Sequence, residues 1–519
     1  MYSVVIKNGS ILDGTGKLAY RADIAVEKRK IVEISPSIPA AKAQQVIDAK
    51  DKFVAPGFID IQNHSDSYWT LFDQPDQKSM LAQGITTIIV GNCGASLAPL
   101  PTQEAIKAVQ KWHDLSGVNL NWVTFAEFVA SLSQKKLGVN VGSLAGHATI
   151  RRGLLADQIR AVTADEIKIM EDILRKSLEE GAFGFSLGLI YAHEVNSSQE
   201  ELAALTRVLK VHGRYLTVHL RSEASHILEA LDEVIELAKS SEVPLKISHL
   251  KIRGQKNWHL FDRVMSKLEI AYHQGLDLSF DVYPYDTSWS VLYTYLPKWA
   301  YDGGRTQILR RINQPAERRK ILDYLRAAEE NLGEIVIAMA QHNPGFIGKT
   351  IAQIAANQAV SNEEAVLNVL SACETQAIVF DHNLSAQQVE LLTFSPLSLV
   401  ATDGAGYSKE TESLVHPRCF GTMPRFLRMV REKRTINWES AIRKLTSEPA
   451  RILGISDRGK VSKNHFADLV IFDPKKITDR ATYEHPFIYP DGMEQVLVNG
   501  QLAYMSQNVA GHFGAVIKR

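Results

Sequence analysis

The stretch Tyr215–Lys251, "YLTVHLRSEASHILEALDEVIELAKSSEVPLKISHLK", decides the fold. It opens with a short apolar strand ending on His219, runs through an amphipathic helical segment, and closes on a second apolar strand ending on His249. Strand, helix, strand in that order is the unit of a parallel sheet with its helices outside. Upstream, the strand candidates are "FIDIQNH" (58–64), "TTIIVGNC" (86–93), "VNVGSLAGH" (139–147) and "GAFGFSLGL" (181–189). Downstream they are "LSFDVYPY" (278–285) and "LSLVATDG" (397–404). With the two strands of the opening stretch these make eight, the strand number of a (β/α)8 TIM barrel, an α/β fold. The interval between the seventh and eighth strands is too long for one crossover, so an insertion subdomain is expected over about 286–345.

The chain ends read differently. "SVVIKNGSILD", "ADIAVEKRKIVEIS" and "QVIDAKDKFVAPG" are brief β-branched runs separated by turn residues, and "ADLVIFDPKK", "EQVLVNGQLAYM" and "AVIKR" repeat that texture. Matching β-rich ends around a different middle predict a small β-sandwich built from residues 1–55 and 455–519, flanking a barrel over 56–454.

Composition excludes several classes. The 519 residues carry 58 Lys+Arg against 58 Asp+Glu, so no general attraction for phosphate backbones or anionic lipid arises. The dense basic stretch Arg425–Arg434 reads as a solvated helix face, and no nucleic-acid partner is expected. No apolar run is long enough to cross a bilayer. The start "MYSVVIKNGSILDG" lacks a basic leader with an apolar core. Three widely spaced cysteines, Cys93, Cys373 and Cys419, give no disulfide framework. These features predict a cytoplasmic protein with a small-molecule substrate; oligomeric state has no signature in the sequence.

The strand ends carry chemistry. His64, Cys93, His219 and His249 are the residue types that bind a transition metal, and Asp403 at the eighth strand end adds a carboxylate. Imidazole and thiolate are standard zinc donors, and a catalytic site uses about three of them. Residues i and i+2 of a strand share a face. That pairs Gln62 with His64, His249 with Lys251, His219 with Arg221 and Asp281 with Tyr283, so ligand candidates have cationic neighbours suited to an anionic substrate. Arg221 and Lys251 could equally be structural ion-pair partners. His147 ends the third strand and is a second-shell or substrate-contact candidate. His113, His193, His212, His226 and His342 read as surface or structural residues, and Cys373 as a core thiol.

The sequence resembles the N-acyl-D-amino-acid deacylases (D-aminoacylases) of the amidohydrolase superfamily. The resemblance is carried by "APGFID", "GITTIIVGNCGASLAPL", "GHATIR", "GAFGFSLGLIYA", "YLTVHLRSE", "ISHLKIRG", "DVYPYD", "HPRCFGTMPRFL" and "ADLVIFDP", running from near Pro56 to near Gly500. It implies a metal-dependent hydrolase that cleaves the amide of N-acyl-D-amino acids to a carboxylate and a free D-amino acid. It implies a tightly held zinc on Cys93, His219 and His249, with Asp403 as the catalytic carboxylate. It implies that Lys251, Tyr283 and Arg418 bind the substrate carboxylate. One departure matters: the family has His-x-His at the first strand end, and here Gln62 holds the first position while His64 is kept. An amide oxygen is a poor zinc donor beside imidazole, so one tightly bound ion is expected and a second site weak or absent. Cyclic amidases related to dihydroorotases or hydantoinases usually carry a carbamylated Lys on the fourth strand; "GAFGFSLGL" has no Lys. A non-catalytic barrel used as a binding module has only Gln62 in its favour.

Overall fold

The computed structural model describes residues 1–110, 120–328 and 330–519; His113 lies outside them. Eight parallel strands form a barrel: β1 (Phe58–Asp60), β2 (Ile85–Val90), β3 (Asn140–Ser143), β4 (Gly184–Gly188), β5 (Tyr215–His219), β6 (Leu245–Ile247), β7 (Leu278–Val282) and β8 (Ser398–Val400). Almost every residue of these strands is buried, which explains why they read as unbroken apolar runs. β1 pairs with β2 and β2 with β3. A two-residue strand, Ala145–Gly146, continues β3 onto β4. From β4 to β8 each strand pairs with the next. The seam between β8 and β1 closes beyond the strand ends, where Asp403 N donates to Gln62 O at 2.9 Å and His64 N to Gly404 O at 2.7 Å. Helices such as Ala164–Glu179, Gln199–His212 and Ile227–Ser241 pack outside. The first of these opens on a Thr163–Glu166 capping box, which satisfies its free amides and fixes where the loop ends.

The chain ends meet in one nine-stranded sheet. Phe53–Pro56 runs antiparallel to Leu469–Phe472, so a strand from each end lies side by side. The long first strand, Tyr2–Ile11, pairs with Ala43–Asp48 along one half and with Phe53–Pro56 along the other, and the sheet branches there. The last residues depart from the expected division. Val141 N donates to Ala515 O at 2.9 Å and Ile517 N to Val141 O at 2.8 Å, so the tail lies against β3 of the barrel.

The insertion also runs further than expected. Ser288–Val291, Val336–Ala340 and Ala377–Asp381 form a three-stranded antiparallel sheet with helices between them. The subdomain therefore extends past residue 345 to Asp381, because its central strand comes last in the chain. Its aromatic residues and those of the barrel mouth share one apolar cluster that includes Tyr68, Tyr191, Trp289 and Tyr407.

A buried polar knot fastens the terminal sheet to the barrel. Asp468 accepts from Arg458, from Asn499 N at 2.7 Å and from Asn140 Nδ2 at 3.2 Å. Asp468→Ala would leave a buried guanidinium without its counter-charge, a loss of about 3–5 kcal/mol. The expected outcome is a clearly lower denaturant midpoint, checked by urea unfolding followed by tryptophan fluorescence.

Candidate active site

The strand ends bring five donors to one end of the barrel. His219 is the last residue of β5; Cys93, His249, Asp403 and His64 follow the ends of β2, β6, β8 and β1. One ligand atom each from Cys93, His219 and His249 lies within 4.8 Å of the other two, and the same holds for His64, Cys93 and Asp403. Cys93 belongs to both groups. Three of these residues have left-handed backbones, Cys93 at φ 54°, His249 at φ 35° and Asp403 at φ 46°. Each such residue costs on the order of 1 kcal/mol, so their surroundings must hold them there. For His249 the restraint is visible: its N–H donates to Asp281 Oδ1 at 2.9 Å. Beside Cys93, Gly94 sits against the Glu194 carboxylate with no room for a Cβ.

The charges are buried and paired. His64 Nε2 lies 3.1 Å from Asp403 Oδ1, and Arg418 Nη2 lies 2.8 Å from Asp403 Oδ2. Lys251 Nζ donates to Glu223 Oε1 at 2.6 Å, and that oxygen also lies 3.2 Å from His249 Nδ1 and 3.5 Å from His219 Nε2. Burial raises the Asp403 carboxyl, but Arg418, His249 and His64 outweigh it and hold the group well below the usual carboxylate range. Burial likewise raises the Cys93 thiol, but His249, His219 and His64 hold it far below a free thiol. Burial disfavours the imidazolium of His64, yet Asp403 and Cys93 push it up to about 10. For His249, burial and Lys251 act downward, and Asp403 and Cys93 carry it up to about 9. Here protons on imidazole balance negative charge that a divalent cation would balance on binding, releasing them. A thiolate with two imidazoles fits zinc.

Gln62 is fixed from below. Lys246 Nζ and Ser248 Oγ donate to its Oε1 at 2.7 and 3.1 Å, so its amide nitrogen faces Cys93 Sγ at 3.2 Å. Tyr283 and Arg418 line the same pocket, with the guanidinium 4.4 Å from the Tyr283 ring centre. Trp289, from the insertion, stacks on Tyr68 at 4.8 Å and forms one wall. His147 does not line the pocket. It is buried between Glu194 at 2.9 Å and Glu201 at 2.8 Å, behind the Cys93–Gly94 turn. Arg221 is a structural partner of Glu233 at 2.8 Å.

A parallel eight-stranded barrel with a thiolate–imidazole cluster at its strand ends defines a metal-binding barrel of the hydrolase type. The chain belongs to the amidohydrolase family, whose model matches residues 45–504. It is 30% identical to a D-aminoacylase of Alcaligenes xylosoxydans xylosoxydans, over 100% of this chain and 98% of the relative. Its fold matches that of an N-acyl-D-glutamate deacylase from Bordetella bronchiseptica solved with zinc and a phosphonate mimic of the tetrahedral intermediate. That match has a TM-score of 0.84 and 31% identity and covers 100% of both chains. A D-aminoacylase described as having a binuclear metal centre, with one-metal activation and second-metal attenuation, matches at TM-score 0.83 and 28% identity over 100% of both chains.

Glu223 escaped the sequence reading, although it closes the quoted "YLTVHLRSE" stretch. Glu223→Gln removes the charge shared by Lys251 and both imidazoles. Zinc affinity should fall about 10- to 100-fold, as for other outer-sphere partners, measured by chelator competition.

Proposed function

We propose that this protein is a zinc-dependent hydrolase that cleaves N-acyl-D-amino acids to a carboxylate and a free D-amino acid. The observation that carries the reading is the joining, in one buried pocket, of the Cys93–His219–His249 donor set with Lys251, Tyr283 and Arg418. The barrel over 56–454 supplies this site, the chain ends form the flanking domain, and the insertion supplies the Trp289 wall.

Cys93, His219 and His249 would hold the zinc, which when bound would supply a Lewis acid for the scissile carbonyl and lower the pKa of a water. Lys251, Tyr283 and Arg418 bind the substrate carboxylate. A guanidinium suits a two-point contact to that group, and the stacking of Arg418 on Tyr283 and Trp289, at 4.4 and 5.3 Å, keeps its plane fixed. Anchoring the carboxylate places the amide for attack and removes part of the entropic barrier. Asp403 takes the proton of the attacking water and returns it to the amide nitrogen, which leaves as an amine. Its carboxylate is kept ionised for the first transfer by Arg418 and His64.

The orientation of Gln62 supports a single tight ion. Its oxygen is held by Lys246 and Ser248 and its nitrogen donates to the Cys93 sulfur. As an amide donor it offers no electron pair to a second ion, which would have only His64, Asp403 and a shared Cys93.

Purified zinc-loaded protein should release amine from N-acetyl-D-amino acids and not from their L-enantiomers; equal turnover of both, or of neither, would sink the stereochemical reading. Asp403→Asn should retain zinc and lose activity by about 10²–10⁴-fold, the usual range for a general acid–base group. Gln62→His should raise zinc content from one ion toward two per chain by elemental analysis, and unchanged content would refute the account of this position.

A further inference from the structure

The pocket holds a cation that neither the metal cluster nor the α-carboxylate contacts use. Arg253 lines the pocket two residues after Lys251. Lys251 is committed to Glu223 at 2.6 Å, and Arg418 pairs with Asp403 at 2.8 Å through one nitrogen, its Nε and Nη1 being left for the α-carboxylate. The Arg253 guanidinium differs. Among the described residues it makes no hydrogen bond or ion pair, and its Nε is sealed from solvent without a partner. Glu223, Asp381 and Glu330 act on it from beyond ion-pair distance. It lies over the Tyr295 ring, with the guanidinium carbon 5.0 Å from the centroid. Tyr295 is itself held by a hydrogen bond to Asp381, so the aromatic support is fixed. The residue is half-buried, and its sealed Nε is costly unless something anionic completes it.

We infer that Arg253 binds a second carboxylate on the substrate, carried by the amino-acid side chain, and that this protein acts on N-acyl-D-amino acids with acidic side chains. The inference rests on the deacylase reading above and narrows it. Geometry favours the side chain over the acyl group as the source of the second carboxylate. Lys251 and Arg253 are two residues apart, so their Cα atoms are at most about 7 Å apart. The α- and side-chain carboxylates of one amino acid lie on the same side of the scissile amide, within such a span. A carboxylate on the acyl group lies across the reacting carbon.

The test is a set of kcat/KM values for the zinc-loaded full chain on N-acetyl-D-glutamate, N-acetyl-D-aspartate, N-acetyl-D-glutamine, N-acetyl-D-leucine and N-succinyl-D-alanine. Glutamate and glutamine differ by one charge at nearly constant shape. An acidic substrate, glutamate or aspartate, should exceed glutamine by roughly 10- to 100-fold, the range for hydrogen bonds to a charged group. That preference should shrink toward unity in Arg253→Met and be partly kept in Arg253→Lys. Turnover of leucine and glutamine without preference for either acidic substrate would overturn this inference and leave the deacylase reading standing. A preference that survives in Arg253→Met would overturn it too. If Arg253→Met does not fold, the wild-type and Arg253→Lys ratios decide. Preference for N-succinyl-D-alanine over both acidic amino acids would move the second carboxylate to the acyl side and refute the side-chain assignment. No turnover of any of the five would overturn the deacylase reading together with this one.

Discussion

Everything at the barrel mouth depends on the seam where β8 meets β1. Two main-chain hydrogen bonds, Asp403 N to Gln62 O and His64 N to Gly404 O, lock the register there. Behind them Asp60 is fully buried and accepts Thr402 N at 3.0 Å, Thr402 Oγ1 at 2.5 Å and Asn63 Nδ2 at 2.9 Å. Burial pushes the Asp60 carboxyl up to about 6, even though each of these donors favours its charged form. Side chains alternate along a strand, so a slip of one residue at this seam would turn every side chain to the other face. His64 and Asp403, now 3.1 Å apart, would separate, and Arg418 would lose its counter-charge.

The second constraint is electrical. Buried charges are tolerated when each has a partner, and here partners are shared. Glu223 serves one ammonium and two imidazoles, and Asp403 serves one guanidinium and one imidazole. Sharing makes the site responsive. In the proposed reading an incoming carboxylate would compete with Glu223 for Lys251 and would meet the Nε and Nη1 of Arg418, which have no partner. The groups proposed to hold the substrate are therefore the ones that steady the acid–base carboxylate and the imidazoles before it arrives.

The strand order and the donor residues were legible because both are local. A short apolar run ending on polar residues identifies itself, and eight of them specify a barrel. The roles proposed for Tyr283 and Arg418 were accessible only through the family resemblance, since nothing local distinguishes them from other loop residues. Glu223, Arg253 and Lys246 were not legible. What matters about each is the presence or absence of a partner distant in sequence: Glu223 meets Lys251, Lys246 meets Asp281 and Gln62, and Arg253 has no ion-pair partner among the described residues. The end of the insertion was misjudged for a related reason. Its central strand, Ala377–Asp381, pairs with two strands that precede it by tens of residues, and no short-range pattern announces that pairing. Of the two readings of His147, substrate contact and second shell, the pocket lining excludes the first: both ring nitrogens of His147 are taken by Glu194 and Glu201, while Glu194 in turn abuts Gly94 beside Cys93.

Lys246 shows how far the site's support extends. Barrel interiors are usually filled with branched apolar side chains, yet this lysine is fully buried on β6, one turn of the pleat below Ser248. Its ammonium is bound by Asp281 and by Gln62 Oε1. Asp281 in turn accepts the main-chain N–H of His249 and so restrains the left-handed backbone that aims the imidazole. Gln62 passes the other branch upward, its oxygen held by the lysine and its nitrogen turned to the Cys93 sulfur. One buried charge thus reaches two of the proposed zinc donors by separate routes, one through a backbone and one through an amide. With His at position 62, as in the His-x-His pattern, a neutral ring could also accept with one nitrogen and donate with the other, but its other tautomer would turn a lone pair toward an ion, which the Gln62 amide nitrogen cannot do. Under the one-ion reading proposed above, the glutamine belongs to the support beneath that ion and is not a degraded ligand for a second.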